Sequence, residues 1–323
     1  MTTDRRALLG LGLGAAAVPS LARAAQGRPV APIWPPLESF KLWPGLPPGA
    51  PARMPRPSPE FTQRGDIWMR GTSSPDVGVI RPARPDGRAV LIAPGGGYGF
   101  VSLENEGVSV ARVLAQHGIT CFVLNYRLPG DGWRDRADTP LADAQRAMRL
   151  IRFQAARYRI DPAKLGVVGF SAGGHLAASL VTQYAAKVYT SIDAADAESA
   201  RPRFGGLMYA VSNMDPGRSR GGSRPNLLGP NPSPAMEARY ATDRNMRADT
   251  PPLFIMHAED DGTVPVINGL DLIAAAHAAR VPVEAHIFQQ GGHGFGVGLP
   301  DALPGSLWPQ LFVRWMNGAM ARP

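Results

Sequence analysis

Only one cysteine, Cys121, occurs in the 323 residues. A disulfide framework within the chain is therefore excluded, and so is a zinc site built on paired cysteines. Lysine is nearly as scarce: the 34 basic residues include only Lys41, Lys164 and Lys187. The arginines are spread along the chain without a cluster, so the net charge of +8 marks no nucleic-acid footprint. Long apolar runs are also missing, and none reaches the roughly 18 residues that a membrane span needs. No H-E-x-x-H pair occurs and the six histidines are scattered, so no metal constellation is visible. What is present is a 44% apolar chain, enough for a real core and against disorder as the main state. Its length fits one large α/β domain or two small ones.

Residues 1–24 read as a secretory signal peptide. Arg5 and Arg6 form a paired basic start, Leu8 to Val18 is a short apolar stretch, and Ala22-Arg23-Ala24 offers a cleavage site. The adjacent arginines resemble a twin-arginine signal, which points to a periplasmic or secreted protein without an integral membrane segment in its mature chain. Residues 25–64 follow as a proline-rich arm, with 11 prolines from Pro29 to Pro59. Helix is excluded there, and long central strands are unfavourable. Trp34, Phe40, Leu42 and Trp43 are interleaved with the prolines, so the arm is expected to wrap the domain and bury them.

From residue 65 to 323, apolar strand patterns alternate with helical ones. Strands are expected at Gly65–Arg70, Val77–Arg81, Arg88–Ala93, Ile119–Asn125, Leu165–Phe170, Gly205–Val211, Leu253–His257 and Val283–Phe288. Helices are expected at Glu106–His117, Leu141–Tyr158, after Ser171, at Val266–Arg280 and from about Ser306. This alternation implies a mostly parallel sheet with helices on both faces. Residues 212–250 form a Gly/Pro/Asn/Arg-rich excursion with one short helix, read as a cap or lid over a site.

The sharpest chemical signal is Gly169-Phe170-Ser171-Ala172-Gly173, a G-x-S-x-G between an expected strand and helix. Small residues two before and two after the serine let strand and helix approach, and the turn holds the hydroxyl exposed. A serine hydroxyl is a poor nucleophile until a base takes its proton. In the chain order serine, acid, histidine, the histidine comes last. His293, in the loop Gly291-Gly292-His293-Gly294-Phe295, fits both the order and the side of the sheet. His286 lies inside a strand, His257 ends one, His117 and His277 sit on helices, and His175 is one turn past the serine. Glu259, Asp260 and Asp261 are the candidates for the acid that orients the imidazole.

A developing oxyanion needs fixed N–H donors. Ala172 supplies one directly after Ser171, and Gly96 and Gly97 supply others from Pro94-Gly95-Gly96-Gly97-Tyr98-Gly99. That loop follows a strand in the position of an HGGG-type motif, with Pro94 where histidine is often found. It is no Rossmann fingerprint, since no third glycine falls at the right offset, and no P-loop, since Gly-Lys-Ser/Thr is absent. Tyr98 either lines the substrate cleft or packs under the loop. Neither a metal nor another cofactor is required by this chemistry.

Together these residues resemble the serine hydrolases of the α/β-hydrolase fold, and more narrowly the bacterial acetyl-xylan-esterase and feruloyl-esterase-like group. The resemblance runs from about Arg64 to the C-terminus. Besides the serine and glycine motifs it rests on Asn125-Tyr126-Arg127-Leu128, Asn226-Leu227-Leu228-Gly229, His257 to Pro265, and Gly291 to Phe295. Its acid-to-valine spacing lands on Asp261, with Asp260 as the rival, and it implies that Asp143 is a structural helix residue. It also implies an exported serine carboxylesterase acting on acyl esters, acetyl above all, of plant-wall polysaccharide such as xylan. A general short-chain carboxylesterase and a prolyl-oligopeptidase-type peptidase are the alternatives. A non-catalytic binding protein of the same fold is the reading from a different class.

Overall fold

The computed structural model describes residues 34–218 and 221–321. The expected signal peptide, 1–24, and the first part of the arm, 25–33, lie outside the described residues. The strands are β1 (Ser39–Lys41), β2 (Ser58–Phe61), β3 (Ile67–Arg70), β4 (Asp76–Ile80), β5 (Ala89–Ala93), β6 (Val101–Ser102), β7 (Thr120–Asn125), β8 (Leu165–Phe170), β9 (Gly205–Met208), β10 (Leu253–Ala258) and β11 (Val283–Phe288). The helices are α1 (Ser109–Ala115), α2 (Thr139–Phe153), α3 (Ala155–Tyr158), α4 (Ser171–Gln183), α5 (Ser223–Leu228), α6 (Pro234–Arg239), α7 (Ile267–Ala278) and α8 (Trp308–Ala321).

Eight strands form the main sheet in the order β1-β4-β7-β5-β8-β9-β10-β11. β1, β4 and β7 pair antiparallel, and every pair from β7–β5 to β10–β11 is parallel. Every residue of β5, β7 and β8 is buried, because strands in the middle of a parallel sheet are covered on both faces. α1 packs beside α8, and α2 beside α4, as the covering helices. The exposed pattern of β11 marks the free edge.

The order of connections positions the site. From β5 the chain steps to β7 on one side, then crosses to β8 on the other. Such a reversal opens a crevice beyond the carboxyl ends of the two strands. Here those ends are Ala93 and Phe170, so the glycine loop and Ser171 leave the sheet side by side.

The expected strand Gly65–Arg70 is corrected in place and length. It begins at Ile67 and belongs to a separate three-stranded sheet, β2-β3-β6, whose first strand comes from the proline-rich segment. The expected helix Leu141–Tyr158 is interrupted at Gln154. The break delivers Tyr158 to Phe40 and Phe122, with ring centroids 6.1 and 5.0 Å away, so packing overrides helical continuity. The helix expected at Glu106–His117 is shorter, Ser109–Ala115, and its expected first residues belong to a π-turn, Glu104–Val108, in which Glu106 is buried. The cap segment carries two short helices, α5 and α6, where one was expected. Ser233 caps α6, its Oγ accepting from Met236 N, with Pro234 in the first turn.

Within the described part of the arm, Leu42 and Trp43 are buried, while Trp34 and Phe40 are half-buried. Trp43 Nε1 donates to Asp143 Oδ1 at 2.8 Å, and the fully buried Asp143 also pairs with Arg127 at 2.8 Å. Asp143 therefore sits in a buried ion pair that holds the arm against α2.

Candidate active site

The turn from β8 into α4 is as tight as a backbone allows. A Cβ on Gly169 would lie 2.1 Å from Gly173 O, and one on Gly173 would lie 2.1 Å from Ala93 O. Ser171 itself takes φ +53°, a left-handed conformation that a non-glycine residue adopts at a cost. The same strain aims its hydroxyl away from the sheet.

Ser171 Oγ lies 2.8 Å from His293 Nε2, and His293 Nδ1 lies 2.6 Å from Asp261 Oδ2. The structure thus brings together the three residues named from the sequence, drawn from the ends of β8, β10 and β11. The other oxygen of Asp261 accepts from the amides of Thr263 and Val264 at 2.9 and 2.8 Å. Burial works to raise the carboxyl pKa, but His257, the charge and hydrogen bond of His293, and the Val264 amide outweigh it and bring it down to about 2. The group is an anion at neutral pH and can stabilise an imidazolium. Asp260 points elsewhere, accepting from Gly292 N at 2.7 Å.

The histidine loop is rich in glycine, yet it is held from several directions. Asn105 Nδ2 donates to Gly294 O at 2.8 Å, Trp308 Nε1 to Gly296 O at 2.8 Å, and Gly296 N to Tyr209 OH at 3.0 Å. The Tyr209 ring meets the His293 imidazole edge-on at 5.0 Å. The Tyr209 hydroxyl in turn donates to Glu106 Oε1 at 2.8 Å, while Glu106 Oε2 accepts from Gly95 N at 2.8 Å. This buried carboxyl links the glycine loop to the histidine loop. Burial pushes its pKa up, opposed by the charge of His293 and by the donors from Tyr209 and Gly95.

With the Gly95 amide committed to Glu106, the amides of Gly96 and Gly97 have no acceptor among the described residues. Both residues need positive φ, +127° and +59°, which only glycine takes freely. Asn226 of the cap holds the loop by donating to Gly97 O at 2.8 Å. Ala172, buried at the start of α4, has an amide without an intrahelical acceptor. The three amides named from the sequence thus lie on two turns that touch each other, a Cβ on Gly95 falling 2.8 Å from that of Ser171.

Tyr98 does not line the cleft. It is 2% exposed, and its hydroxyl lies 2.8 Å from His175 Nδ1 behind the loop. A carbonyl can only accept, so His175 Nε2, 2.8 Å from Tyr240 O, carries the proton and Nδ1 accepts from Tyr98. The glycine loop needs a filler beneath it, and the tyrosine serves there rather than on the substrate side. His257 is buried, with Nε2 donating to Val264 O at 2.8 Å, and shapes the acid loop. Among the described residues no cluster of histidine, cysteine and carboxylates could hold a metal.

Ser171 and His293 open onto a cavity of about 790 Å³, which Gly96, Gly97, Trp68 and Phe100 also border. A hydroxyl on a base, a buried anion behind the base, and free amides beside the hydroxyl are the parts needed for acyl transfer.

Comparison with known proteins identifies the family. The profile described as BD-FAE matches residues 84–275, more than half of the chain. The chain belongs to the BD-FAE family. An acetylxylan esterase from Xylanibacter ruminicola is 37% identical over 221 residues, which cover 67% of this chain and 43% of that protein. An endo-1,4-beta-xylanase B from Butyrivibrio fibrisolvens is 32% identical, the match covering 64% of this chain and 32% of that protein. The chain therefore spans less than half the length of these curated relatives. The crystal structure of an acetyl ester-xyloside bifunctional hydrolase from Caldicellulosiruptor lactoaceticus matches with a TM-score of 0.68 and 34% identity. That match covers 76% of this chain and 88% of the other. The architecture of this BD-FAE chain is the α/β-hydrolase fold.

Among the side chains around the site that were not singled out from the sequence are Glu106, Tyr209 and Trp68. None belongs to a short motif. Glu106 had one available signal, an acidic residue facing inward at the start of an apolar helix, where an uncompensated carboxylate is unfavourable.

Proposed function

We propose that this protein is a serine carboxylesterase that removes acyl groups, chiefly acetyl, from xylan-type polysaccharide. The observation that carries the proposal is the contact chain Ser171 Oγ–His293 Nε2–Asp261, at 2.8 and 2.6 Å, facing an open cavity beside free glycine amides. The xylan direction is supported by what the similar proteins are called: an acetylxylan esterase, a xylanase and an acetyl ester-xyloside hydrolase.

In this reading Ser171 attacks the ester carbonyl while His293 Nε2 takes its proton. Asp261 stabilises the imidazolium, and the oxyanion rests on the amides of Gly96, Gly97 and Ala172. His293 then gives the proton to the leaving sugar oxygen. A water molecule, deprotonated by the same imidazole, attacks the acyl-enzyme and releases the acid.

The proposal further holds that residues 1–24 direct export by a twin-arginine route. N-terminal sequencing of the protein from the periplasm or medium is expected to begin near Ala25, and an intact N-terminus on cytoplasmic protein would oppose export.

A substrate panel tests the activity. Acetylated xylo-oligosaccharides should be turned over with kcat/KM at least tenfold above feruloylated ones and far above proline-containing peptides. Peptide cleavage without ester cleavage would replace the proposal with the peptidase reading. Failure of a fluorophosphonate to label the protein would leave the non-catalytic one.

A further inference from the structure

An acetyl group is only two carbons and one oxygen, whereas cavities of several hundred Å³ accept drug-sized ligands. Most of the 790 Å³ next to Ser171 must therefore serve something other than the acetyl group. One wall of that space is aromatic. The rings of Trp68 and Phe100 stack with centroids 4.3 Å apart and an interplanar angle of 25°. Arg70 lies 5.8 and 5.3 Å from their centroids and is itself tied to Glu60 at 2.6 Å.

The wall is rigid by construction. Trp68 Nε1 donates to Asp66 Oδ2 at 2.9 Å. Asp66 is buried and also accepts from the Ser102 hydroxyl and from the amides of Ile67, Glu104 and Asn105, at 2.6 to 3.1 Å. Five donors satisfy this carboxylate completely, so it has no spare lone pair for a substrate and its effect is to fix the indole. Neither ring belongs to the main sheet: Trp68 is on β3, and Phe100 ends the glycine loop. The same cavity is also bordered by the polar side chains of Thr62, Gln63, Arg64, Ser223 and Thr263.

We propose that the Trp68–Phe100 wall is a sugar-ring subsite that takes a pyranose of the leaving polysaccharide. A pyranose is apolar on its C–H faces and polar around its rim, the same division that this wall and its border present. The C–H face of the sugar stacks on an outer ring face of this stacked pair, and its hydroxyls meet Thr62, Gln63 and Arg64. The identity of the sugar as part of the leaving group rests on the esterase reading, but the stacking does not.

The test separates the two. Binding of unacetylated xylotetraose is measured by calorimetry on the wild type, Trp68→Ala and Trp68→Phe. In parallel, kcat/KM is measured on an acetylated xylo-oligosaccharide and on p-nitrophenyl acetate, which has no sugar. Trp68→Ala is expected to weaken xylotetraose about tenfold, the scale of one aromatic stack, and Trp68→Phe to recover most of it. The ratio of kcat/KM for oligosaccharide over p-nitrophenyl acetate should fall by the same factor in Trp68→Ala. Equal losses on both esters, or xylotetraose binding unchanged by Trp68→Ala, would overturn the subsite. Xylotetraose binding through Trp68 without hydrolysis of any ester would keep the subsite and defeat the esterase reading.

Discussion

Ser171 keeps a left-handed backbone, φ +53°, that most residues avoid, and every neighbour is arranged around that strain. The glycines that permit it are local in sequence, which is why the tight turn at Ser171, the proposed nucleophile, was legible there. Asp260 and Asp261 are adjacent, and spacing alone could only favour one of them. The structure separates them by direction, one toward His293 and the other toward the Gly292 amide. Asp261→Asn is expected to leave the fold intact and lower kcat on the order of ten-thousand-fold, because an amide supports the wrong imidazole tautomer. The carboxylate also acts on stability. Its folded pKa of about 2 is below the ordinary value, so its contribution is present above about pH 4 and lost as pH falls through about 2. The difference in melting temperature between wild type and Asp261→Asn should therefore shrink from pH 5 to pH 2. A difference that stays constant over that range would contradict the assignment.

Glu106 was invisible as a functional residue because its role depends on two loops far apart in sequence. Its position makes it a positioning residue, touching Gly95 and, through Tyr209, the loop of His293. Glu106→Gln keeps the shape but turns one of the two accepting oxygens into a donor, so Gly95 N and the Tyr209 hydroxyl can no longer both be accepted. kcat should fall by more than KM rises, because the glycine loop and the histidine loop lose their shared anchor. A lower melting temperature with unchanged kcat and KM would reduce Glu106 to a structural group.

At the scale of elements, α4 does two jobs. Its first turn presents Ser171, and one turn later His175 joins the glycine loop to the cap through Tyr98 and the Tyr240 carbonyl. The sequence placed His175 on the helix but held no sign of these partners, which come from residues 77 and 65 positions away. Burial pushes the His175 pKa down to about 4, against the Tyr240 hydrogen bond, so the ring is neutral at pH 7. Its stabilising effect is complete above about pH 6.5 and is lost as pH falls toward 4. His175→Phe leaves the Tyr98 hydroxyl and the Tyr240 carbonyl buried without partners, at about 2–4 kcal/mol. Denaturant unfolding at pH 7 should show that loss, and the variant's stability should depend less on pH between 6.5 and 4 than the wild type's. The cap was harder to read than the sheet. Its helices are six residues each, too short for a helical period, and only Ser233-Pro234 marked a helix start.

For the whole molecule, the alternation of strands and helices carried the fold class because buried parallel strands have an unmistakable apolar signature. β5, β7 and β8 begin within one residue of their expected positions, or at it, and end where expected. The small sheet β2-β3-β6 was lost for the opposite reason: it is short and partly exposed, and it draws one strand from a proline-rich stretch. It nevertheless contributes Trp68 and Ser102 to the lining of the cavity that Ser171 also borders. The glycine loop after β5 joins the two sheets, running from Gly96 and Gly97 to Phe100 and on into β6.

Acetate release from acetylated xylan by the wild type and by Ser171→Ala tests this account most directly. The account predicts release by the wild type and a fall on the order of a million-fold in the variant, the loss seen when a triad nucleophile is removed. Comparable release by both proteins would contradict it, since the hydrolysis would then not pass through Ser171.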